Sequence, residues 1–294
     1  MNALRNSALG LLAITGALLG LSLPFGKIAT ETGVPPVVWA FVISAGGGGV
    51  ILVAMLLRGE RINLTARKLR YFFVTATITY ALPNLLLFSV MPHVGAGYAG
   101  IMYTLSPIVT LVLSMLFGVR KPNLLGIFGI AVGFVGAVMV ATTRGQVGEP
   151  AALFWVAVAL LIPLSLASGN IYRTVDWPED ASPMELAVGS NLTAGLILLV
   201  GIALLPGLSA VGTLAHVPLV AVAQIASSAL MFVVFFRLQV VGGPVYLSQI
   251  GYVAAAIGLF SGTLFLGERY GLLTWLGAAV IIVGVVVTTK AQAK

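Results

Sequence analysis

The sequence has no cysteine, two histidines and eight acidic residues among 294, and only 8% of it is charged. Without cysteine there is no disulfide framework, thiol nucleophile or thiolate-bound metal. His93 and His216 stand far apart, so no histidine metal cluster is expected, and no cofactor. There is no Gly-x-Ser-x-Gly elbow and no histidine in mid-run beside a serine-bearing face, which argues against a hydrolase. The chain is read as a non-enzyme. Its net charge of +7 does not point to nucleic acid, because almost no water-facing segment exists on which Lys and Arg could gather.

What the sequence has in abundance is hydrocarbon. Hydrophobic residues make up 60% of it, whereas soluble domains carry about 45–50% apolar and about 25% charged residues. They fall into ten runs of about 20, the length that crosses a bilayer core. The runs lie at about 8–28, 35–57, 71–91, 95–117, 123–142, 152–172, 184–206, 217–236, 244–266 and 271–289. The first is too long for a removable signal and lacks an Ala-x-Ala-like site, so it is read as a span. The expected class is an all-α integral membrane protein with ten transmembrane helices. If the N-terminus is cytoplasmic, twelve of the fifteen basic residues fall in inner loops and tails, among them Arg58, Arg61, Lys68, Arg70 and Arg173; Lys27, Arg144 and Arg269 fall outside. That bias predicts both termini in the cytoplasm.

A short element recurs. Leu21–Ile28 reads LSLPFGKI and Leu164–Ile171 reads LSLASGNI, five of eight letters shared at a shift of 143. Pro36 and Pro183, Val94-Gly95 and Val241-Gly242, Tyr98 and Tyr246, and Gly129 and Gly136 with Gly277 and Gly284 repeat at shifts of 147 or 148. The chain is therefore two copies of a five-span unit, residues 1–145 and 146–294, packed as one transport domain. Five is odd, so the second copy enters the membrane from the opposite side. Such inverted repeats are related by a pseudo-two-fold axis in the membrane plane, and carriers place their solute where the repeats meet. Pro24 and Gly26 remove a hydrogen bond and a side chain from one turn. Pro163, Ser168 and Gly169 occupy the second copy, where Ser165 and Ser168 are expected to reach freed carbonyls. These residues, with Lys27, are the expected gates.

The ten spans, the inverted repeat, the proline-bearing end of span 1, and the tails GVRKPNLLGIFGIAVGFVGAVMV and GERYGLLTWLGAAVIIVGVVV resemble the drug/metabolite transporter superfamily, EamA type, and within it the YddG-like amino-acid exporters. The resemblance implies an inner-membrane carrier whose cavity is lined by spans 1, 3, 4, 6, 8 and 9, with spans 5 and 10 supporting it from the side. On those spans polar and aromatic residues form stripes at helical spacing. The expected solute-binding set is Tyr80 and Asn84, Tyr98, Met102 and Tyr103, Ser165, Met231, Tyr246, Gln249 and Tyr252.

That lining reads as neutral and suits a neutral or zwitterionic solute, aromatic and other neutral amino acids first. A broad drug/metabolite exporter and a channel are the alternatives. No Asp or Glu falls in mid-span, which favours facilitated or exchange transport over a midplane proton relay. The glycines at 126, 129, 133 and 136 form a small-residue ridge expected to meet span 10, and Gly46 to Gly49 read as a packing surface. The bilayer and a small solute are the expected partners, and one chain suffices for a pathway.

Overall fold

The computed structural model describes residues 7–118, 124–143, 145–146, 149–248 and 250–292. Among them are ten helical spans: α1 Ala8–Glu31, α2 Pro36–Leu57, α3 Ala66–Val94, α4 Ala96–Leu116, α5 Leu124–Thr143, α6 Leu153–Val175, α7 Pro183–Leu204, α8 Pro218–Ser248, α9 Ile250–Phe265 and α10 Leu272–Gln292. In hydrocarbon every backbone group must be satisfied within its own segment, which leaves helices as the form these apolar runs can take. Side chains finish the ends that reach polar surroundings. Ser7, Thr65 and Ser182 accept N–H bonds as N-caps of α1, α3 and α7, and proline opens α2, α7 and α8 where its missing N–H is not needed.

The protein is thus an all-α, ten-helix membrane protein in an inverted five-plus-five arrangement, and its packing follows the repeat. Helix α1 lies against α8 and α9 of the second half, while α6 lies against α3 and α4 of the first. Helices α2 and α7 pair, as do α5 and α10. The expected glycine ridge does meet α10: a Cβ on Gly136 would press on the Gly277 carbonyl, and one on Gly284 would meet the backbone of Gly133 and Gly129. Gly46 and Gly47 likewise admit Ile225, Ser228 and Phe232 of α8, and Gly48 admits Asn191 of α7. A two-residue antiparallel pairing, Gly145–Gln146 with Glu149–Pro150, lies between the halves.

Several boundaries differ from the sequence expectation. Helix α3 starts at Ala66, so Lys68 and Arg70 are helical and not in a loop. Helix α6 runs to Val175, which takes Arg173 out of the loop and into the last helical turn. The break expected between residues 236 and 244 is absent: α8 continues to Ser248, because Pro244 removes one N–H without forcing the chain out of the helix. Leu208–His216 forms a 3-10 helix on the surface. Three spans are irregular at mid-depth. Val42–Gly46 and Ala76–Ala81 are π-helical, and α4 is interrupted at Thr104 and Leu105.

Candidate functional site

Those irregular turns surround a central cavity of about 110 Å³. Inserted turns of this kind concentrate at functional sites because they re-aim side chains. Ile43 comes from the π turn of α2, Thr79 and Tyr80 from that of α3, and Tyr103 and Ser106 flank the break in α4. Helix α1 adds Thr15, Leu19 and Ser22; α6 adds Leu166, Asn170 and Arg173; α8 and α9 add Met231, Phe232, Phe235, Ile250 and Gly251. The lining therefore comes from both halves.

A second cavity of about 330 Å³ adjoins the first on the side of the bundle that carries both chain ends, and shares Asn170, Arg173 and Leu247 with it. Each is larger than the roughly 10–15 Å³ that one water needs.

The opposite, far side carries a buried polar cluster. There Lys27 and Glu268 form a buried ion pair at 2.5 Å. The same carboxylate accepts the N–H groups of Ala96 at 2.7 Å and Gly97 at 3.2 Å, and the Tyr270 hydroxyl. Those two N–H groups open α4, so the carboxylate also meets the positive end of a helix. Gly95 permits this by taking φ +85°, a left-handed turn that lets α4 start directly after α3. Burial alone would raise the Glu268 carboxyl; the bonds from Lys27, Tyr270 and Ala96 overcome that and hold it below the ordinary carboxylate range. Beneath the cluster the Phe88 ring fills the space a Cβ on Gly26 would occupy. An ion pair and an aromatic ring thus pack in succession on this side.

The side with the chain ends has its own ion pair, placed differently. Lys68 contacts Glu185 at 3.0 Å and Asp180 at 3.1 Å, and Glu185 also accepts the Asn63 N–H. This group joins α3 to α7 beside the aromatic cluster of Tyr71, Phe72 and Phe236, away from the cavity lining. At the cavity itself stands Arg173, 3% exposed. Its Nη2 donates to the Asn170 Oδ1 at 2.6 Å and its guanidinium lies 5.0 Å from the Phe235 ring centre. Its Nε and Nη1 have no partner among the described residues.

The expected solute-binding residues divide. Tyr80, Asn84, Tyr103 and Met231 face the central cavity, and the Asn84 amide has no hydrogen-bond partner among the described residues. Tyr98 and Met102 are buried outside the lining. Ser165 donates to the Ile78 carbonyl at 2.7 Å and Tyr252 to the Thr104 carbonyl at 3.4 Å, so both hold helices together. Gln249 and the side chain of Tyr246 lie outside the described residues.

Of the expected gates, Lys27 pairs with Glu268, Gly26 packs on Phe88, and Pro24 lies inside the same helix. Gly169 receives Thr79 as Gly26 receives Phe88; Pro163 sits within α6 and Ser168 bonds the Leu164 carbonyl. The serines do not reach the carbonyl that Pro163 frees: Ser168 bonds the turn after it and Ser165 crosses to α3. Arg173 was counted by sequence only as a marker of orientation. Its i, i+4, i+7 spacing with Leu166 and Asn170 is the signal that puts it on the cavity face.

The sequence model of the EamA-like transporter family matches the chain twice, over residues 6–142 and 153–290. Among curated proteins, the Escherichia coli K12 protein named "Uncharacterized inner membrane transporter YedA" is 26% identical over 289 residues, spanning 95% of this chain and 91% of that one. Its counterparts in E. coli O6:H1 and O157:H7 match equally. A solved crystal structure with 18% identity superposes at a TM-score of 0.57 over 98% of this chain and all of its own, a likeness of fold alone.

Proposed function

The chain belongs to the EamA-like transporter family, and on that premise we propose that it is an inner-membrane carrier exporting small neutral or zwitterionic metabolites, aromatic and other neutral amino acids foremost, by alternating access. The observation that carries this reading is the one-sided cavity at the seam of the two halves. It is walled by α1, α3, α4, α6, α8 and α9 with Ile43 of α2 and shares lining residues with a second cavity; Lys27, Glu268 and Phe88, packed at the far side, are read here as its closure.

The bias of basic residues supports chain ends in the cytoplasm, and on that reading the conformation is the one that loads from within. A pathway closed at one end suits a carrier that must rock, since a channel conducts through a pore continuous across the membrane. The aromatic and amide groups of Tyr80, Tyr103, Asn84 and Phe235 support a solute with an apolar or aromatic body. Proteoliposomes preloaded with amino acids, sugars, nucleosides and cationic drugs test it: saturable counterflow of labelled aromatic amino acids is expected. Linear, unsaturable flux would replace the carrier with a channel, and efflux confined to phosphorylated solutes would overturn the substrate class.

A further inference from the structure

Two cations stand on the helices that carry the repeated octamer, and their surroundings differ. Lys27 on α1 is neutralised by Glu268 and, at 3.5 Å, by Glu31. Arg173 on α6 has no such partner among the described residues. Shifted by 143, its counterpart on α1 is Thr30, whose hydroxyl bonds carbonyls of its own helix, so the repeat does not account for the arginine.

A basic residue in the last turn of a membrane helix ordinarily extends to the interface and keeps its charge in water. Arg173 instead is buried where the two cavities meet. Among the described residues no carboxylate pairs with it, and neither cavity lining contains an aspartate or glutamate. A guanidinium presents five N–H donors and stays charged. Here one nitrogen reaches Asn170, and Nε and Nη1 have no acceptor among the described residues. The Tyr80 hydroxyl belongs to the same cavity lining and has no hydrogen-bond partner among the described residues. A desolvated charge with idle donors is an arrangement that gains most from a charged acceptor.

Resting on the carrier reading above, we propose that Arg173 is the carboxylate-binding residue of the cavity. Its solutes are then small organic acids with an apolar or aromatic body, and the net anion binds more tightly than the zwitterion. The carboxylate takes the free guanidinium donors and the Tyr80 hydroxyl. The body of the solute extends away from the chain ends along Phe232, Met231 and Leu87 toward Phe88. An ammonium group finds amide and hydroxyl oxygens there but no carboxylate, so it adds nothing to offset its own desolvation. The neutral lining expected from sequence thus includes, among the described residues, one guanidinium without a carboxylate partner.

Four probes sharing one phenyl body test this on the full-length protein in proteoliposomes, by competition against labelled phenylalanine or, if that is not taken up, by ligand-induced thermal shift. They are 3-phenylpropionate, phenylalanine, 3-phenylpropanamide and 2-phenylethylamine. The acid is expected to bind about ten-fold or more tightly than its amide, the size of effect a charged hydrogen bond gives, with phenylalanine between them and the amine last. Arg173→Gln is expected to bring acid and amide within about two-fold of each other. Arg173→Lys keeps the order at lower affinity, because it retains the charge and loses the planar fork.

Equal binding of acid and amide by the unaltered protein overturns the assignment and leaves the aromatic-carrier reading standing. A retained acid preference in Arg173→Gln also overturns it. If none of the four binds, the aromatic-carrier reading fails and the assignment fails with it. The comparison in the unaltered protein does not depend on any variant folding.

Discussion

The two ends of the bundle each carry a buried lysine paired with a glutamate, and each pair ties the first half of the chain to the second; on the carrier reading proposed above, only one of them closes the pathway. At the far side Glu268 collects Lys27 of α1, two N–H groups of α4 and Tyr270, so one carboxylate holds three segments over the mouth of the cavity. At the other side Glu185 collects Lys68 and the Asn63 N–H, which fastens α3 to α7 beside the cavity and leaves the approach to Arg173 free. The same chemistry is a latch where its partners converge from opposite walls, and a clamp where they lie on one side. Charge in the membrane is retained where it does one of these things, because burying it is costly otherwise.

The largest effect expected from breaking this contrast is at the latch. Glu268→Ala removes the acceptor of four donors at once and leaves Lys27 buried with only Glu31, a loss of about 3–5 kcal/mol for an uncompensated pair. Because the chain has no native cysteine, a single introduced Asn84→Cys reports access without background. In the latched protein an impermeant maleimide should label it from the side of the chain ends only; with Glu268→Ala added, labelling should appear from both sides. Unchanged one-sided labelling would show that Phe88 alone closes the mouth. Lys68→Met is expected to lower the melting temperature by less, since it removes one donor from Glu185, which keeps the Asn63 N–H and is slightly exposed, and to leave the labelling pattern as it was.

A smaller effect separates the two octamers. Gly26→Ala and Gly169→Ala each place a methyl group into a neighbour on α3, an overpacking of about 1–3 kcal/mol. The neighbour of Gly26 is the Phe88 ring, fully buried and rigid; that of Gly169 is the Thr79 hydroxyl, the end of a small side chain with another rotamer to turn to. Gly26→Ala should therefore sit at the upper end of that range and be relieved by Phe88→Leu, and Gly169→Ala should sit at the lower end. Equal losses in melting temperature would mean that the octamers are packed alike and that the far side is not the tighter end.

The fold was legible because lipid leaves so few solutions. Runs of 20 apolar residues, an odd number of them per copy, and glycine ridges at helical spacing are written directly in the sequence, and each appears in the structure. The cavity was half legible. Helical spacing finds a polar face but does not say whether that face meets solute or another helix, and so it grouped Asn84, which is unpartnered, with Ser165, which bonds a carbonyl on α3. The two π turns and the break in α4 rotate the faces at mid-depth, and nothing in a regular 3.6-residue spacing registers them. Arg173 was hidden by a boundary three residues too early, and Glu268 by standing in a loop whose partners are 241 and 172 residues away.

The smallest effect is expected from the exposed counterpart of these pairs. Arg70 donates to both oxygens of Asp176 at 2.8 and 3.0 Å, but its side chain is 62% exposed, so salt and water screen the attraction. The Tyr172 hydroxyl first, and then Arg70, hold the Asp176 carboxyl below its ordinary value against a smaller opposing push from burial. A carboxyl depressed in the folded state stabilises it above the unfolded value, and that contribution is lost as the pH falls through the folded one. Glu268 is depressed too, so acidification weakens both ends with the same sign, beginning below the ordinary carboxylate range of about 4. The sizes should differ. Asp176→Asn is expected to leave the neutral-pH melting temperature within error and to remove little of the acid sensitivity, whereas Glu268→Gln should remove most of it. If Asp176→Asn instead flattened the acid limb of the melting-temperature profile, the exposed pair would be the one that fastens the bundle, and the assignment of latch and bystander would reverse.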